Sequence, residues 1–457
     1  MFGLECSKCR SAIRLVVLFL TLQVTALPAS AAAPTRLIVL GDSLSAEYDS
    51  ISGFSGIDDP TEYAAITAGG WESMSWVEVV GRLRSESLDL GGFKSELPGW
   101  GLFRFSGYEY NFAIPGFTAE QFKQVVSSSI FSHPEFLSHK QQLSDALQNN
   151  ADAAVVWLGG NEFRGNYGTL YEGASPAGLI NNLSNDLAQV VDWVRGRKVG
   201  LKLVIVNLPD LGATPDKQAA HPDPLKRANV TAATVLANQA IASIAAARGL
   251  PVADVFSDTK RLIDGETLWL GPVNLLPGSH PDNHHRHHFT RDGLHPNTCL
   301  QAIMARRILE TLNQAHGTDI PTLTDVELLG LVGINPLQPY LDWTTTNQLA
   351  ATGIGDDGDA DGLVNLAEFV FLLDPNAVSA PPLKLDASAT PLKASFSPDA
   401  GRLRLVEVKP EWSSELSEWA AVPMENINVD ANGLIVTLPP DEFAGFIRLQ
   451  LSVRPVQ

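Results

Sequence analysis

The fold is decided by residues 37–45, which read Leu-Ile-Val-Leu-Gly-Asp-Ser-Leu-Ser. The first four are apolar and rich in β-branching, a pattern that predicts a short buried strand. Gly41 and Asp42 interrupt the apolar run where a parallel strand would end and a helix begin. Ser43 would therefore lie at the carboxyl edge of a sheet, where open α/β folds bind their ligands. We consider Ser43 a candidate nucleophile; a residue that only caps a helix is the alternative.

Extended and helical segments alternate along residues 36–315. The pattern predicts strands at 36–41, 108–114, 153–158, 201–206 and 251–256, and helices at 76–83, 118–128, 135–148, 178–196, 228–248 and 298–315. Alternation of this kind predicts a parallel sheet covered by helices on both faces. Since right-handed crossovers bring the strand ends to one edge, Ser43, Gly116 and Asn161 should meet there, although they are far apart in the sequence.

The composition bounds the size and the class of the protein. With 457 residues, of which 45% are apolar, the chain can form about three domains or one large domain with appendages. Its formal charge of -19 argues against binding to nucleic acid or to an anionic membrane surface, because both need a basic patch.

Residues 1–31 have the composition of a secretory signal peptide. Basic residues precede an apolar stretch at 15–27, and Ala29-Ser30-Ala31 is typical of a cleavage site. The apolar stretch is too short to cross a bilayer comfortably. We therefore expect a secreted protein, periplasmic or extracellular, with no membrane span in the mature chain. That chain would contain a single cysteine, Cys299, which excludes an intramolecular disulfide.

A second motif, at residues 292–296, reads Asp-Gly-Leu-His-Pro and lies just before the last predicted helix. Pro296 disfavours helical backbone at His295, so the histidine should lie on a short extended loop. Asp292 can then accept a hydrogen bond from Nδ1–H of the imidazole, which leaves Nε2 to accept a proton from a serine. A turn with a structural histidine is the alternative, and it is the more common one for Asp-x-x-His alone.

Two further segments follow predicted strands and contain groups that can donate hydrogen bonds. Asn161, in the sequence Gly-Gly-Asn-Glu, could donate from its side-chain amide to a developing oxyanion. Gly116 could donate from its backbone N–H to the same oxyanion. Each residue alone is equally compatible with a tight turn.

These four segments, in this order, resemble the sequence blocks of the GDSL family, also called SGNH hydrolases. Residues 41–44 are similar to the first block, the segment ending in Gly116 to the second, 159–162 to the third and 292–296 to the last. The resemblance covers the whole alternating region. The third block of the family commonly has Asp where this chain has Glu162, which leaves the preceding asparagine in place.

The resemblance implies both a fold and an activity. The fold would be a flavodoxin-like three-layer α/β/α hydrolase domain, and the reaction would be ester hydrolysis without a catalytic cofactor. Ser43 would be the nucleophile, His295 the base and Asp292 the orienting acid. The N–H groups of Ser43 and Gly116 and the amide of Asn161 would form the oxyanion hole. The substrate would be a lipid acyl ester or an acetylated carbohydrate, and the sequence does not choose between them.

A different motif follows the hydrolase-like region. Residues 357–368, Asp-Gly-Asp-Ala-Asp-Gly-Leu-Val-Asn-Leu-Ala-Glu, fit a twelve-residue calcium loop. The ligands expected from this spacing are Asp357, Asp359, Asp361, the Leu363 carbonyl, Asn365 and Glu368. The segment resembles the EF-hand and dockerin-type loops of secreted bacterial proteins, and a single copy favours a structural Ca²⁺ over a switch. An acidic surface turn is the alternative.

The end of the chain, from about residue 384, alternates apolar and polar residues in short runs. Runs at 402–405, 433–438 and 446–453 predict strands. Together they predict a small antiparallel β-sandwich. Such a domain could bind carbohydrate, mediate attachment to a cell surface, or only cap the chain.

The sequence thus predicts an α/β chain with several parts. They are a signal peptide at 1–31, the hydrolase domain at 32–315, a linker with short helices at 316–355, the calcium-loop segment at 356–376 and a small β-rich domain at 377–457. We expect a secreted serine esterase. The alternative is a surface adhesion or carbohydrate-binding protein on a catalytically silent scaffold, and the intact Ser43, Asp292 and His295 argue against it.

Residues 282–288 contain four histidines in five positions. Histidine is a common zinc ligand, but zinc ligands usually have ordered spacing and come from more than one element. The segment fits a solvated loop as well, with one histidine lining the cleft, and the sequence assigns it no role.

Overall fold

The computed structural model describes most of the chain. The described residues are 33–48, 72–95, 99–101, 103–104, 106–127, 134–386, 389, 393–413, 415–430, 433–437 and 446–454. The expected signal peptide lies outside them. Within these residues, no helix is both long and apolar enough to cross a membrane.

Strands and helices alternate in the first part of the described chain. The strands are β1 Thr35–Gly41, β2 Leu88–Asp89, β3 Phe93–Lys94, β4 Gly107–Tyr108, β5 Ala153–Trp157, β6 Lys202–Val206, β7 Val252–Ala253, β8 Trp269–Leu270, β9 Val273–Asn274, β10 Leu276–Ser279 and β11 His287–Phe289. The helices are α1 Trp76–Leu83, α2 Ala119–Ser127, α3 Pro134–Asp145, α4 Gly160–Tyr171, α5 Ala177–Arg195, α6 Pro215–Ala220, α7 Pro224–Ala246, α8 Phe256–Ile263 and α9 Thr298–His316. The helices predicted from the sequence are all present; α4, α6 and α8 were not predicted.

A five-stranded parallel sheet forms the centre of this region, in the order β2-β1-β5-β6-β7. In the register of β1 against β5, Leu37 pairs with Ala153. Successive side chains of a strand point to opposite faces, so Leu37 and Val39 join one apolar cluster while Ile38 and Leu40 join the other. The side chains of residues 37–40 in β1 are fully buried, as expected for a parallel strand covered on both faces.

Helices cover both faces of the sheet. On one face, Trp76 of α1 and Ile308 of α9 belong to the same apolar cluster as Val39. On the other face, Phe122 of α2 and Val191 of α5 pack in the cluster that contains Leu40. The predicted three-layer α/β/α fold is therefore confirmed.

The predicted strand before Gly116 forms only in part. Its first residue, Tyr108, belongs to β4, and residues 110–114 run alongside the second half of β1 through backbone hydrogen bonds. The last of these bonds joins Ile114 N to Gly41 O over 2.9 Å. This pairing brings Gly116 to the sheet edge at which Ser43 lies.

Short helices and antiparallel strands follow α9. They are α10 Asp325–Leu331, α11 Gln338–Thr346, α12 Asn365–Phe371, β12 Leu383–Asp386, β13 Lys393–Phe396, β14 Val406–Ser413, β15 Ala420–Ala421, β16 Ile427–Asp430, β17 Gly433–Thr437 and β18 Phe446–Val453. The strands form two small sheets, β12-β13-β17-β16 and β15-β14-β18. Both sheets contribute to one apolar cluster together with α11 and α12.

The strand predicted at 402–405 is wrong, because residues Arg402–Arg404 form a 3₁₀ turn. The Asp399 carboxylate accepts a hydrogen bond from Arg402 N over 2.9 Å, and such local side-chain bonds compete with strand pairing. The strand begins one turn later, at Val406.

The region predicted as a linker packs against two different cores. Leu328 and Leu329 of α10 belong to the core beneath α9. Tyr340 and Trp343 of α11 belong to the C-terminal core. The helices expected in this region are present, whereas the domain boundaries themselves stay predictions.

Candidate active site

Ser43 lies on the turn that follows β1. Asp42 shapes this turn: its carbonyl accepts a hydrogen bond from Ser45 N over 3.1 Å, and its Oδ1 accepts one from Leu44 N over 2.9 Å. Gly41 is required by close packing, because a Cβ at this position would lie 2.7 Å from the Ser45 hydroxyl. The turn is therefore held in one shape, with the half-buried Ser43 at its apex.

His295 bridges Ser43 and Asp292. Its Nε2 lies 2.9 Å from the Ser43 hydroxyl, and its Nδ1 lies 2.5 Å from Asp292 Oδ2. The imidazole is only 7% exposed. Since a carboxylate can only accept, Nδ1 carries the proton and Nε2 presents its lone pair to the serine. The three side chains that the sequence singled out are thus brought together.

The Asp292 carboxylate accepts hydrogen bonds from several donors. Besides the imidazole, its other oxygen accepts hydrogen bonds from the N–H of Leu294 and of His295 and from the Thr290 hydroxyl, at 2.8 to 2.9 Å. Burial alone would raise the pKa of Asp292, but the bonds from His295 and Leu294 outweigh it and hold the pKa below its ordinary value. The carboxylate therefore remains ionised beside the imidazole.

Tyr48 and Gln301 support the histidine from the side, and neither was found from the sequence. The Tyr48 ring packs edge-on against the His295 ring, with centroids 5.9 Å apart. Its hydroxyl accepts a hydrogen bond from Gln301 Nε2 over 2.7 Å. Burial raises the pKa of Tyr48 well above its ordinary value. A tyrosine five residues after Ser43 and a glutamine inside α9 carry no motif that could have identified them.

Asn161 joins the Ser43 turn to the Gly116 turn. Its amide nitrogen donates to the Phe117 carbonyl over 3.0 Å and to Asp42 Oδ2 over 3.3 Å. Asp42 is 2% exposed, and burial raises its pKa to about 6. The sequence prediction that Ser43, Gly116 and Asn161 share one sheet edge therefore agrees with the geometry.

Backbone N–H groups are available at this edge. Gly116 adopts a φ of +78°, a left-handed conformation that favours glycine. Among the described residues, no acceptor is hydrogen-bonded to the N–H of Ser43 or of Gly116. Two unpaired N–H donors beside a serine hydroxyl can bind a negatively charged oxygen.

Glu162 occupies the position that differs from the family pattern. Its Oε1 accepts a hydrogen bond from Ala119 N, the first residue of α2, over 2.6 Å. Burial raises its pKa to about 7. Glu162 therefore ties α4 to the start of α2 next to the Gly116 turn, which is a positioning role.

The residues expected to bind calcium form a separate group. One carboxylate oxygen from each of Asp357, Asp359 and Asp361 lies within 4.8 Å of the others. Gly362 adopts a φ of +90° and donates its N–H to Asp357 Oδ2 over 2.9 Å. The loop therefore makes the sharp turn that a calcium loop needs at this position.

Glu368, at the end of this loop, is an unusual buried acid. It is 1% exposed, and neither carboxylate oxygen has a hydrogen-bond partner within the described residues. Burial and then the neighbouring carboxylates, Asp359 and Asp361 foremost, raise its pKa to about 7. A buried acid without a donor is costly, and a divalent cation is the group that these oxygens fit.

Asn365 differs from the other expected calcium ligands because part of its side chain already has hydrogen-bond partners. Its amide nitrogen donates to the carbonyls of Ala351 and Gly353 over 2.9 and 3.0 Å. Its Oδ1 is buried and, among the described residues, has no hydrogen-bond partner. The side chain therefore fastens the preceding segment to α12 and has only its oxygen left for an ion.

Comparison with known proteins identifies a related family. A sequence model of the GDSL-like lipase/acylhydrolase family matches residues 37–308. A comparison with curated proteins found no match.

Similar solved structures come from several bacteria. The extracellular lipase of Streptomyces rimosus is 17% identical, with coverage of 62% of this chain and 99% of its own and a TM-score of 0.34. Phospholipase A1 of Streptomyces albidoflavus is 16% identical, with 62% and 100% coverage and a TM-score of 0.34. A family 3 carbohydrate esterase of Clostridium thermocellum is 13% identical, with 62% and 96% coverage and a TM-score of 0.30. Similarity at this level does not indicate which ester the chain hydrolyses.

Proposed function

The chain belongs to the GDSL-like lipase/acylhydrolase family and is an ester hydrolase, and from this premise we propose that it works through an acyl-enzyme on Ser43. The observation that carries the proposal is the unbroken hydrogen-bonded line from Asp292 through His295 to Ser43, with distances of 2.5 and 2.9 Å. A serine hydroxyl is a weak nucleophile by itself and needs an adjacent base in this position.

The reaction proceeds in two acyl transfers. The Ser43 oxygen attacks the ester carbonyl while His295 Nε2 takes the hydroxyl proton. The same proton then passes to the leaving alcohol, and the acyl group stays on Ser43. Water enters, gives a proton to Nε2 and attacks the acyl-enzyme, and return of that proton to Ser43 releases the acid. The ionised Asp292 stabilises the imidazolium formed in each half.

The oxyanion of each tetrahedral intermediate is bound by three donors. They are the N–H groups of Ser43 and Gly116 and the side-chain amide of Asn161. In the resting site this amide bonds to the Phe117 carbonyl and to Asp42, so oxyanion binding exchanges the bond to Phe117 for a bond to the substrate. Asp42 keeps the amide in place during the exchange.

An aromatic group beside the oxyanion donors favours a substrate with an apolar acyl chain. The Phe117 ring directly follows Gly116, and Phe103 packs against it with ring centroids 6.0 Å apart. Phe136 stacks on Phe103 at 4.7 Å. Phe103 also lines a cavity of about 300 Å³, whose walls include Trp100 as well as charged and polar side chains. We therefore favour a lipid-type acyl ester over an acetylated carbohydrate.

A panel of p-nitrophenyl esters tests this substrate class. We expect kcat/KM to rise several-fold per added methylene from acetate towards medium chains, because each buried CH₂ contributes about 0.8 kcal/mol. Phe103→Ala should flatten this rise. Phe93→Ala is the matched control, since Phe93 is 43% exposed and contacts Tyr108 instead. A preference for acetate, with turnover of acetylated xylan, would establish the carbohydrate ester.

The alternative, a silent scaffold that binds carbohydrate or a surface, is less well supported. A silent scaffold has no need to keep the Asp292–His295–Ser43 geometry together with N–H donors at the same edge. The role of the C-terminal sheets, including carbohydrate or surface contact, and secretion after cleavage of residues 1–31 stay proposals that rest on the sequence.

We also propose that residues 357–368 bind one structural Ca²⁺. The carboxylates of Asp357, Asp359 and Asp361, the Leu363 carbonyl, the Asn365 oxygen and the two oxygens of Glu368 would supply ligands. The support is the buried carboxylate of Glu368 beside the three aspartates, which has no hydrogen-bond partner in the part of the chain that the structure describes. The ion would neutralise their repulsion and stabilise the core around α12, and it takes no part in the hydrolysis.

Removal of Ca²⁺ should make stability depend on pH. The pKa of Glu368 is raised from its ordinary value of 4.5 to about 7, so the folded ion-free protein binds an extra proton between these values. Its stability therefore falls as pH rises through this window. With Ca²⁺ at a hundred times its Kd, the protein gains about 2.7 kcal/mol. Thermal unfolding with and without EGTA measures both effects.

Glu368→Gln distinguishes a specific Ca²⁺ site from non-specific attraction of Ca²⁺ to acidic side chains. The amide keeps the side chain's shape and removes its charge, so the Ca²⁺ shift should disappear without loss of stability in EGTA. Glu418→Gln, at an exposed position, should keep the full shift. A Glu368→Gln protein that retains the wild-type Ca²⁺ shift would refute the site.

A further inference from the structure

The histidine-rich segment separates into two groups in the folded chain. His285 and His288 point inward and are 1% and 5% exposed. His284 and His287 stay half-buried at the surface, where His280, just before the segment, joins them. The surface group therefore consists of His280, His284 and His287, a set that the sequence pattern alone did not single out.

The three surface rings lie at separations close to those of zinc ligands. The ring centroids are 5.1 Å apart for His280 and His287, 6.1 Å for His280 and His284, and 6.3 Å for His284 and His287. Zn²⁺ binds imidazole nitrogen tetrahedrally at about 2.0–2.1 Å, which places the ring centroids of three such ligands about 5 Å apart. Among the described residues, convergent metal-ligand atoms are found in the calcium-loop segment and not at these histidines, so the three side chains would have to rotate to bind one ion.

His287 is already held as a metal-binding tautomer. Its Nδ1 lies 3.2 Å from the Pro277 carbonyl, which can only accept, so Nδ1 carries the proton and Nε2 has a free lone pair. A carbonyl behind the imidazole is the usual support of a metal-binding histidine.

His280 and His284 must change partners to bind a metal through Nε2. The Nδ1 of His280 accepts from Asp282 N over 3.2 Å, and that of His284 accepts from Arg286 N over 3.3 Å. Both bonds are at the long end of the normal range. Asp282, whose Oδ2 lies 3.9 Å from His280 Nδ1, can supply a fourth ligand.

We propose that His280, His284 and His287 form a zinc site, with Asp282 or water as the fourth ligand. The site is separate from the calcium loop and from the ester-hydrolysing residues. The ion would join the loop at His280 and His284 to β11 at His287.

The bound ion would stabilise the loop that carries His295. Asn297, the N-cap of α9, donates from its side-chain amide to the carbonyls of Asn283 and His284 over 3.0 and 3.1 Å. Its backbone N donates to the His288 carbonyl over 2.8 Å. Zinc would thus stabilise the backbone on which the catalytic loop rests, without entering the reaction.

Calorimetric titration with ZnCl₂, in a large excess of Ca²⁺ that fills the acidic loop, tests the site. We expect one Zn²⁺ per chain and a rise in the melting temperature. The double variant His280→Ala/His287→Ala should weaken binding by more than about 100-fold, because loss of even an outer-shell partner of a metal ligand costs 10–100-fold. Its hydrolytic activity in EDTA should match that of the wild type.

His221→Gln is the matched control, because His221 packs on Tyr167 and Tyr171 away from the cluster, and it should bind Zn²⁺ as the wild type does. Absence of Zn²⁺ binding by the wild type overturns the proposal. Wild-type binding by the double variant, or binding seen only without Ca²⁺, overturns it too, because the ion would then lie elsewhere. The Zn²⁺-binding and melting-temperature readouts do not depend on the esterase mechanism.

Discussion

Ser43→Ala is expected to lower kcat for p-nitrophenyl ester hydrolysis by on the order of 10⁵-fold or more. The serine oxygen is the atom that bonds to the acyl group, and it lies 2.9 Å from His295 Nε2. An alanine leaves the histidine and the N–H donors in place but removes the attacking atom. Steady-state rates of the purified proteins measure the effect.

A matched serine variant controls for general damage. Ser243→Ala removes an exposed hydroxyl whose hydrogen bond, to the Gln239 carbonyl, lies within α7, and it should keep wild-type kcat. Thermal unfolding of both variants should be close to that of the wild type. If Ser43→Ala turned over the ester at even a tenth of the wild-type rate, another residue would have to be the nucleophile.

Asp292→Asn should lower kcat by on the order of 10⁴-fold, the second largest effect. If the amide keeps its oxygen towards the N–H groups of Leu294 and His295, its NH₂ faces the imidazole. Nδ1 must then accept, the proton moves to Nε2, and His295 can no longer take a proton from Ser43. The variant also lacks the negative charge that stabilises the imidazolium.

The pH dependence of kcat distinguishes the catalytic role of Asp292 from a purely structural one. The pKa of Asp292 is held below its ordinary value of 3.8, so in the wild type this acid stays ionised at neutral pH and causes no loss of activity there. Asp264→Asn, at an exposed residue that pairs with Lys260, should have normal rates. If Asp292→Asn had near-normal kcat and an unchanged pH profile, a residue other than Asp292 would have to orient His295.

The sequence predicted the fold correctly where the apolar pattern of a segment matches the way that the segment is buried. The apolar run of β1 needs burial on both faces, and only a parallel sheet between two helix layers provides it. Ser43, Asn161 and Gly116 follow strands or extended segments, so the topology alone brought them to one edge. The Asp292–His295 pair was predictable because Pro296 and the three-residue spacing act locally.

Features that depend on tertiary contacts were not predictable. Tyr48 supports His295 only because α9 places Gln301 against its hydroxyl. Residues 402–405 have a strand-like alternation, yet the Asp399 side chain closes a turn there. In the histidine-rich segment, the fold decides which rings face the solvent, and His280 joins them from outside the run.

The central claim, that Ser43 is an activated nucleophile, is tested most directly by covalent labelling. A fluorophosphonate reacts with a serine oxygen only when a neighbouring base activates it. Peptide mass spectrometry of the labelled protein should find one adduct, on Ser43, and the adduct should be absent in Ser43→Ala and greatly reduced in Asp292→Asn. An adduct on a different serine, or ester hydrolysis that continues while Ser43 stays unlabelled, would contradict the account.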